Sequence, residues 1–99
     1  MTFAIAIKDG AVARAQRVLR VDQDVQLRLI WSADRPMTVH LEGYDISVTV
    51  LPERPAEMAF KAFASGRFPV HAHQGDAGTR PGSHAHGRQT LLRLEVHSK

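Results

Sequence analysis

Histidine is the residue type in this chain best suited to chemistry: there are six in 99 residues. Four of them, His71, His73, His84 and His86, form two H-A-H pairs a short distance apart. In an extended strand, residues i and i+2 point to the same side. His71 and His73 therefore present their imidazoles together, on the side opposite Phe68 and Val70. His84 and His86 follow in a Gly-rich stretch able to fold back over them. Neutral imidazole suits Cu, Zn and Ni, and three or four converging rings make a strong site. His40 lies between Val39 and Leu41, on the outward side of its own predicted strand, and is a fifth candidate ligand. His97, near the C-terminus, stands apart. No fixed metal motif such as H-E-x-x-H is present. The competing reading is that these pairs are solvated strand positions and loop composition.

Other chemistry is thin. There is no cysteine, which excludes disulfides, thiolate catalysis, iron–sulfur ligation and any copper site built on a thiolate. The serines, Ser32, Ser47, Ser65, Ser83 and Ser98, sit in no nucleophile-elbow context. No Gly-rich turn joins a strand to a helix, so a phosphate cradle is not expected. Asp22 and Asp24 read as turn residues. Glu42 and Asp45 flank Tyr44 in a turn and are expected to bond local backbone amides. No acid–base pair or nucleophile is organised, and no enzymatic activity is expected.

These side chains must be held by strands. Apolar residues alternate at Phe3–Ile5–Ile7, Val25–Leu27–Leu29–Trp31, Ile46–Val48–Val50, Met58–Phe60–Ala62, Phe68–Val70–Ala72 and Leu92–Leu94–Val96. Each run reads as a strand with one buried face. Val18 to Val21 and Met37 to Leu41 are two shorter candidates. Trp31 is expected in the core. Turn signals fall at the boundaries, including Asp9-Gly10, Asp34-Arg35-Pro36 and Ser65-Gly66. Seven to eight short strands so spaced predict an all-β antiparallel sandwich or barrel. Residues 11–19 (AVARAQRVL) could form a helix but lack a convincing cap, so an extended segment or loop competes. Residues 74–89 hold four of the seven glycines and almost no bulky apolar residue. They read as a long flexible Gly/His-rich loop, of the kind that is usually functional or disordered.

Composition sets the outer bounds. At 99 residues and 43% apolar content, one globular domain spanning 1–99 is expected. No apolar run approaches the length of a membrane-spanning helix. The formal charge of +3 and pI of about 10.0 raise anionic partners. The arginines, however, are spread along the whole chain and are not interleaved with aromatics, so nucleic-acid binding is not expected. MTFAIAIKDG has no basic start and no long apolar core, so it does not read as a signal peptide. Taken literally the protein is cytoplasmic; it is periplasmic if Met1 replaces a removed leader.

The order of these signals resembles the cupredoxins over nearly the whole chain. VLRVDQDVQLRLIW resembles that family's V-x-V-x-x-G-D-x-V-x-L-x-W region. TVHLEGYDISV resembles the H-x-H-G-Y-D segment of a bacterial cupredoxin-like group. LPERPAEMAFKA resembles the family's Pro-containing turn and following strand, and ASGRFPVHAH resembles the G-x-Y/F-x-F-x-C strand leading into the copper loop. The resemblance implies a Greek-key β-sandwich. It places His40 at the first histidine of the H-x-H pair and Glu42 at the second. It places Ala72 where the copper thiolate stands, and no methionine follows the His-rich loop. A type 1 electron-transfer centre is therefore not expected.

Two functions follow as expectations. In the first, the domain is a periplasmic metal binder that carries or buffers copper. Its metal would be Cu(II), with Zn or Ni as alternatives, held by His71, His73, His84 and His86 together with His40. In the second, copper chemistry is lost and the sandwich is a copper-free module that contacts a partner protein.

Overall fold

The alternation read from the sequence becomes two packed sheets. The computed structural model describes residues 1–74 and 88–98. Eight strands run in the order β1 (Thr2–Ile7), β2 (Val18–Asp22), β3 (Gln26–Ala33), β4 (Met37–Leu41), β5 (Ile46–Val50), β6 (Ala56–Lys61), β7 (Gly66–Gln74) and β8 (Arg88–His97). Strands β1-β3-β6 make one sheet and β2-β8-β7-β4-β5 the other. Ile5, Ile7, Leu27, Leu29, Trp31 and Met58 from the first sheet share one buried core with Leu19, Val21, Met37, Val39, Leu41, Val50, Val70, Leu92, Leu94 and Val96 from the second. Removing these side chains from water is the main driving force for folding. The fold is an all-β, cupredoxin-like sandwich.

Two features differ from a purely antiparallel reading. β1 pairs with β3 in parallel, and β2 pairs with β8 in parallel. β2 lies in the opposite sheet between β1 and β3, so the chain reverses twice and β3 returns in the direction of β1. Alternation tells which residues face inward but not which strand lies alongside. The other difference is at residues 11–19, which form no α-helix. Only Arg14–Gln16 make a 3₁₀ turn, and Ala13 ahead of it provides no side-chain cap. Val18 already belongs to β2, where Leu19 and Val21 are buried. The Gln16 side-chain amide donates to the Ala4 carbonyl at 2.7 Å, which occupies part of the open edge of β1.

Trp31 is completely buried, as expected. Among the described residues, its indole Nε1 is the one buried side-chain nitrogen or oxygen without a hydrogen-bond partner. The ring's apolar area offsets a penalty of about 1–3 kcal/mol for that N–H.

The β4–β5 turn is held by aromatic packing. The Tyr44 hydroxyl donates to the Ala64 carbonyl at 2.8 Å and accepts from the Ala64 amide at 3.1 Å. Its ring lies 5.2 Å from Phe60, 5.0 Å from Phe63 and 4.9 Å from Phe68. Gly43 has φ +87, and a Cβ built there would collide with the Phe68 ring. Gly43→Ala is therefore expected to lose about 1–3 kcal/mol of unfolding free energy, and Leu29→Ala, at a fully buried position, about 2–5 kcal/mol. Urea unfolding followed by Trp31 fluorescence measures both.

Candidate metal-binding face

The outer face of the five-stranded sheet carries three of the predicted ligands, His40, His71 and His73. β4 pairs with β7 so that His40 lies directly opposite His71, and Thr38 opposite His73. β5 extends the first row with Ser47 opposite His40, and β8 extends it with Thr90 opposite His71. One row across four strands thus reads Thr90, His71, His40, Ser47. Val70 and Ala72 turn inward and are buried, so His71 and His73 project outward, on the opposite face. The pairing of β7 with β8 shifts register between Val70 and His71. Leu91 and Leu92 are consequently both buried, while Thr90 stays beside His71.

Each ring of the central pair is held by specific partners. His71 Nδ1 lies 3.1 Å from the Thr90 hydroxyl, and its Nε2 lies 2.6 Å from Glu42 Oε2. The His71 side chain is only 14% exposed. His40 Nδ1 lies 2.6 Å from the Ser47 hydroxyl. His40 leans toward Ser47 on β5, while His71 is held between Thr90 on β8 and Glu42 just beyond the end of β4. His73 is exposed. Among the described residues, no three His, Cys, Asp or Glu side chains form a group that could hold a metal. His84 and His86 lie within 75–87, outside the described residues. The described strands reach Gln74 and resume at Arg88, just inside the 74–89 bounds read from composition. His97 belongs elsewhere, with its Nε2 3.8 Å from Glu95 Oε1.

Sequence reasoning missed three contributors to this face. Glu42 was expected to bond local backbone, yet its carboxylate reaches His71 on another strand. Ser47 and Thr90 had no chemical context and prove to hold imidazole nitrogens. Ser47 was within reach of the sequence: a turn centred on Gly43-Tyr44 places residue 47 opposite residue 40. Thr90 and Glu42 meet His71 only through pairings between segments distant in the chain.

The donors decide which metal chemistry fits. A blue centre does not fit: the chain has no cysteine, Ala72 is buried beside Val39, and Met58 is core on the other sheet. The imidazoles and the adjacent carboxylate are nitrogen and oxygen donors, the donor classes that borderline metal ions take.

Further along the same face, the charges are paired. Glu95 is buried to 7% exposure. Arg93 Nη2 approaches it at 2.8 Å, Arg20 Nε at 3.2 Å and Arg67 Nε at 3.9 Å. On the other sheet, Arg28 makes a two-pronged contact with Glu57 at 2.9 and 3.1 Å. These arginines thus gather at carboxylates instead of forming an unpaired basic stripe. Burial pushes the Glu95 carboxyl up, but the guanidiniums of Arg20 and Arg93 outweigh it and hold the group below its ordinary value.

A carboxyl lowered in the folded state adds stability that is fully present above its unfolded pKa. That stability is lost as pH falls through the folded value. Glu95→Gln is therefore expected to be less stable than the parent at pH 7. The gap should close as pH falls below the ordinary glutamate value of about 4.3. Thermal melts of both proteins across that range measure it.

No family model matches the sequence, and no curated protein matches it. Solved structures do. A chain of a heme-copper terminal oxidase dimer superposes with a TM-score of 0.71 at 14% identity, over 97% of this chain and 64% of that one. Auracyanin A, a "blue" copper protein from the green thermophilic photosynthetic bacterium Chloroflexus aurantiacus, superposes with a TM-score of 0.62 at 13% identity, over 98% of both chains. The blue copper oxidase from Nitrosomonas europaea gives a TM-score of 0.59 at 16% identity, over 84% of this chain and 31% of that one. The chain thus spans under two-thirds of each oxidase chain and nearly all of auracyanin A. At these identities the likeness establishes the fold alone, and the fold is one shared with copper proteins.

Proposed function

We propose that this domain binds copper through histidines and carries or buffers it in the periplasm, without a thiolate centre. The observation that carries the reading is the outer face of the five-stranded sheet, where β7 sets out His71 and His73 with His40 directly across from His71. The proposed ligands are His71, His73, His84 and His86, with His40 beside them. Copper so held would be bound by nitrogen donors and would exchange instead of cycling electrons. The cupredoxin-like fold, shared with a blue copper protein and with copper oxidases, supports copper over other cations. No helix among the described residues is long and apolar enough to cross a membrane.

A second reading has its own observation. Both nitrogens of His71 and Nδ1 of His40 are already engaged, by Glu42, Thr90 and Ser47. That arrangement also suits a copper-free sandwich that contacts a partner protein.

Cu(II) titration by calorimetry and EPR separates the two. The parent protein should bind one Cu(II) with nitrogen hyperfine structure. The variant with His71, His73, His84 and His86 changed to Ala should lose it. Binding should also weaken on acidification, because imidazole ligates only when deprotonated. Weak, multi-site binding that is equal in both proteins would reject the copper reading and leave the interaction module.

A further inference from the structure

We infer that Glu42 is a positioning residue that fixes the tautomer of His71 and leaves Nδ1 as its metal-binding atom. The inference deepens the copper reading above and rests on it for its metal half.

The argument begins with what each neighbour can do. An ionised carboxylate only accepts hydrogen bonds. Glu42 Oε2 stands 2.6 Å from His71 Nε2, so in the neutral ring the proton sits on Nε2. That leaves the lone pair on Nδ1. The neighbour there agrees: Thr90 Oγ1 lies 3.1 Å from Nδ1, and a hydroxyl can rotate to donate to it. Glu42, in the β4–β5 turn, thus selects the tautomer, and the Thr90 hydroxyl accommodates it. The ring is 14% exposed and the Glu42 side chain 39%, so the contact is partly shielded from water and stronger than a fully solvated pair.

The consequence is directional. A carboxylate on the far nitrogen of a ligating histidine fixes ring orientation and raises ligand basicity, and losing such a partner typically costs about 10–100-fold in metal affinity. Here the carboxylate occupies Nε2. A metal therefore meets His71 at Nδ1, where only a neutral hydroxyl has to yield.

The test has two independent readouts. The first needs no metal: long-range 15N–1H NMR of the metal-free protein at neutral pH should show His71 as the Nε2–H tautomer. Glu42→Gln should keep it, because the amide oxygen still accepts from Nε2–H. Glu42→Ala should lose the preference. The second readout is Cu(II) titration with copper sulfate. Glu42→Ala should weaken binding about 10–100-fold, Glu42→Gln should recover part of that loss, and His71→Ala should be at least as damaging as Glu42→Ala. Thermal melts check that each variant is folded. A wild-type Nδ1–H tautomer overturns the inference. So does an Glu42→Ala affinity within twofold of wild type where His71→Ala loses binding. If the wild-type protein binds no Cu(II), the copper reading and the metal half of the inference fail together, and the NMR result alone decides whether Glu42 sets the tautomer.

Discussion

Everything on the candidate face depends on the parity of β7. This strand lies at the centre of the five-stranded sheet, between β8 and β4. Val70 and Ala72 go into the core, and His71 and His73 are left outside. Because strand periodicity is two, a slip of one residue would bury both imidazoles and expose two apolar side chains. The hydrophobic core thus holds the histidine face in register. Burying Val70 against the opposite sheet is what keeps His71 beside His40, Thr90 and Glu42.

The register irregularity in β8 belongs to the same constraint. An extra residue in one strand leaves its neighbours displaced by one and re-aims side chains locally. Here it lets Leu91 and Leu92 both enter the core, and Thr90 remains level with His71. The hydroxyl that meets Nδ1 is therefore placed by apolar packing on the other face of the same strand. At the opposite end of β4, Gly43 and Phe68 do similar work. The glycine lets the turn close against the ring, and that turn carries Glu42 back over the sheet toward His71.

The charge pattern divides the face into two zones. Glu95 collects Arg20, Arg67 and Arg93 at one end, where a buried carboxylate needs cations to offset its lost hydration. His40, His71 and His73 lie further along the face, where the partners of His40 and His71 among the described residues are the Ser47 and Thr90 hydroxyls and the Glu42 carboxylate.

Much of this was legible in the residues themselves. Period-two alternation located six of the eight strands, because burying one face of a strand demands it, and the two shorter candidates at Val18–Val21 and Met37–Leu41 became β2 and β4. It also put His71 and His73 on one side and Val70 and Ala72 on the other. The missing cysteine ruled out a thiolate centre, since no folding can supply an absent sulfur. Even the opposition of His40 and Ser47 was implicit, because a short turn at Gly43-Tyr44 determines which residues face each other. Only the tertiary structure decided the rest. Alternation carries no record of which strand lies alongside, so the parallel pairs β1·β3 and β2·β8, and the meeting of His40, His71 and Thr90, had to come from the packing of two sheets. Glu42 makes the point most clearly. Its sequence neighbours marked it as a turn residue, and its role beside His71 exists because β4 and β7, distant in the chain, pair side by side.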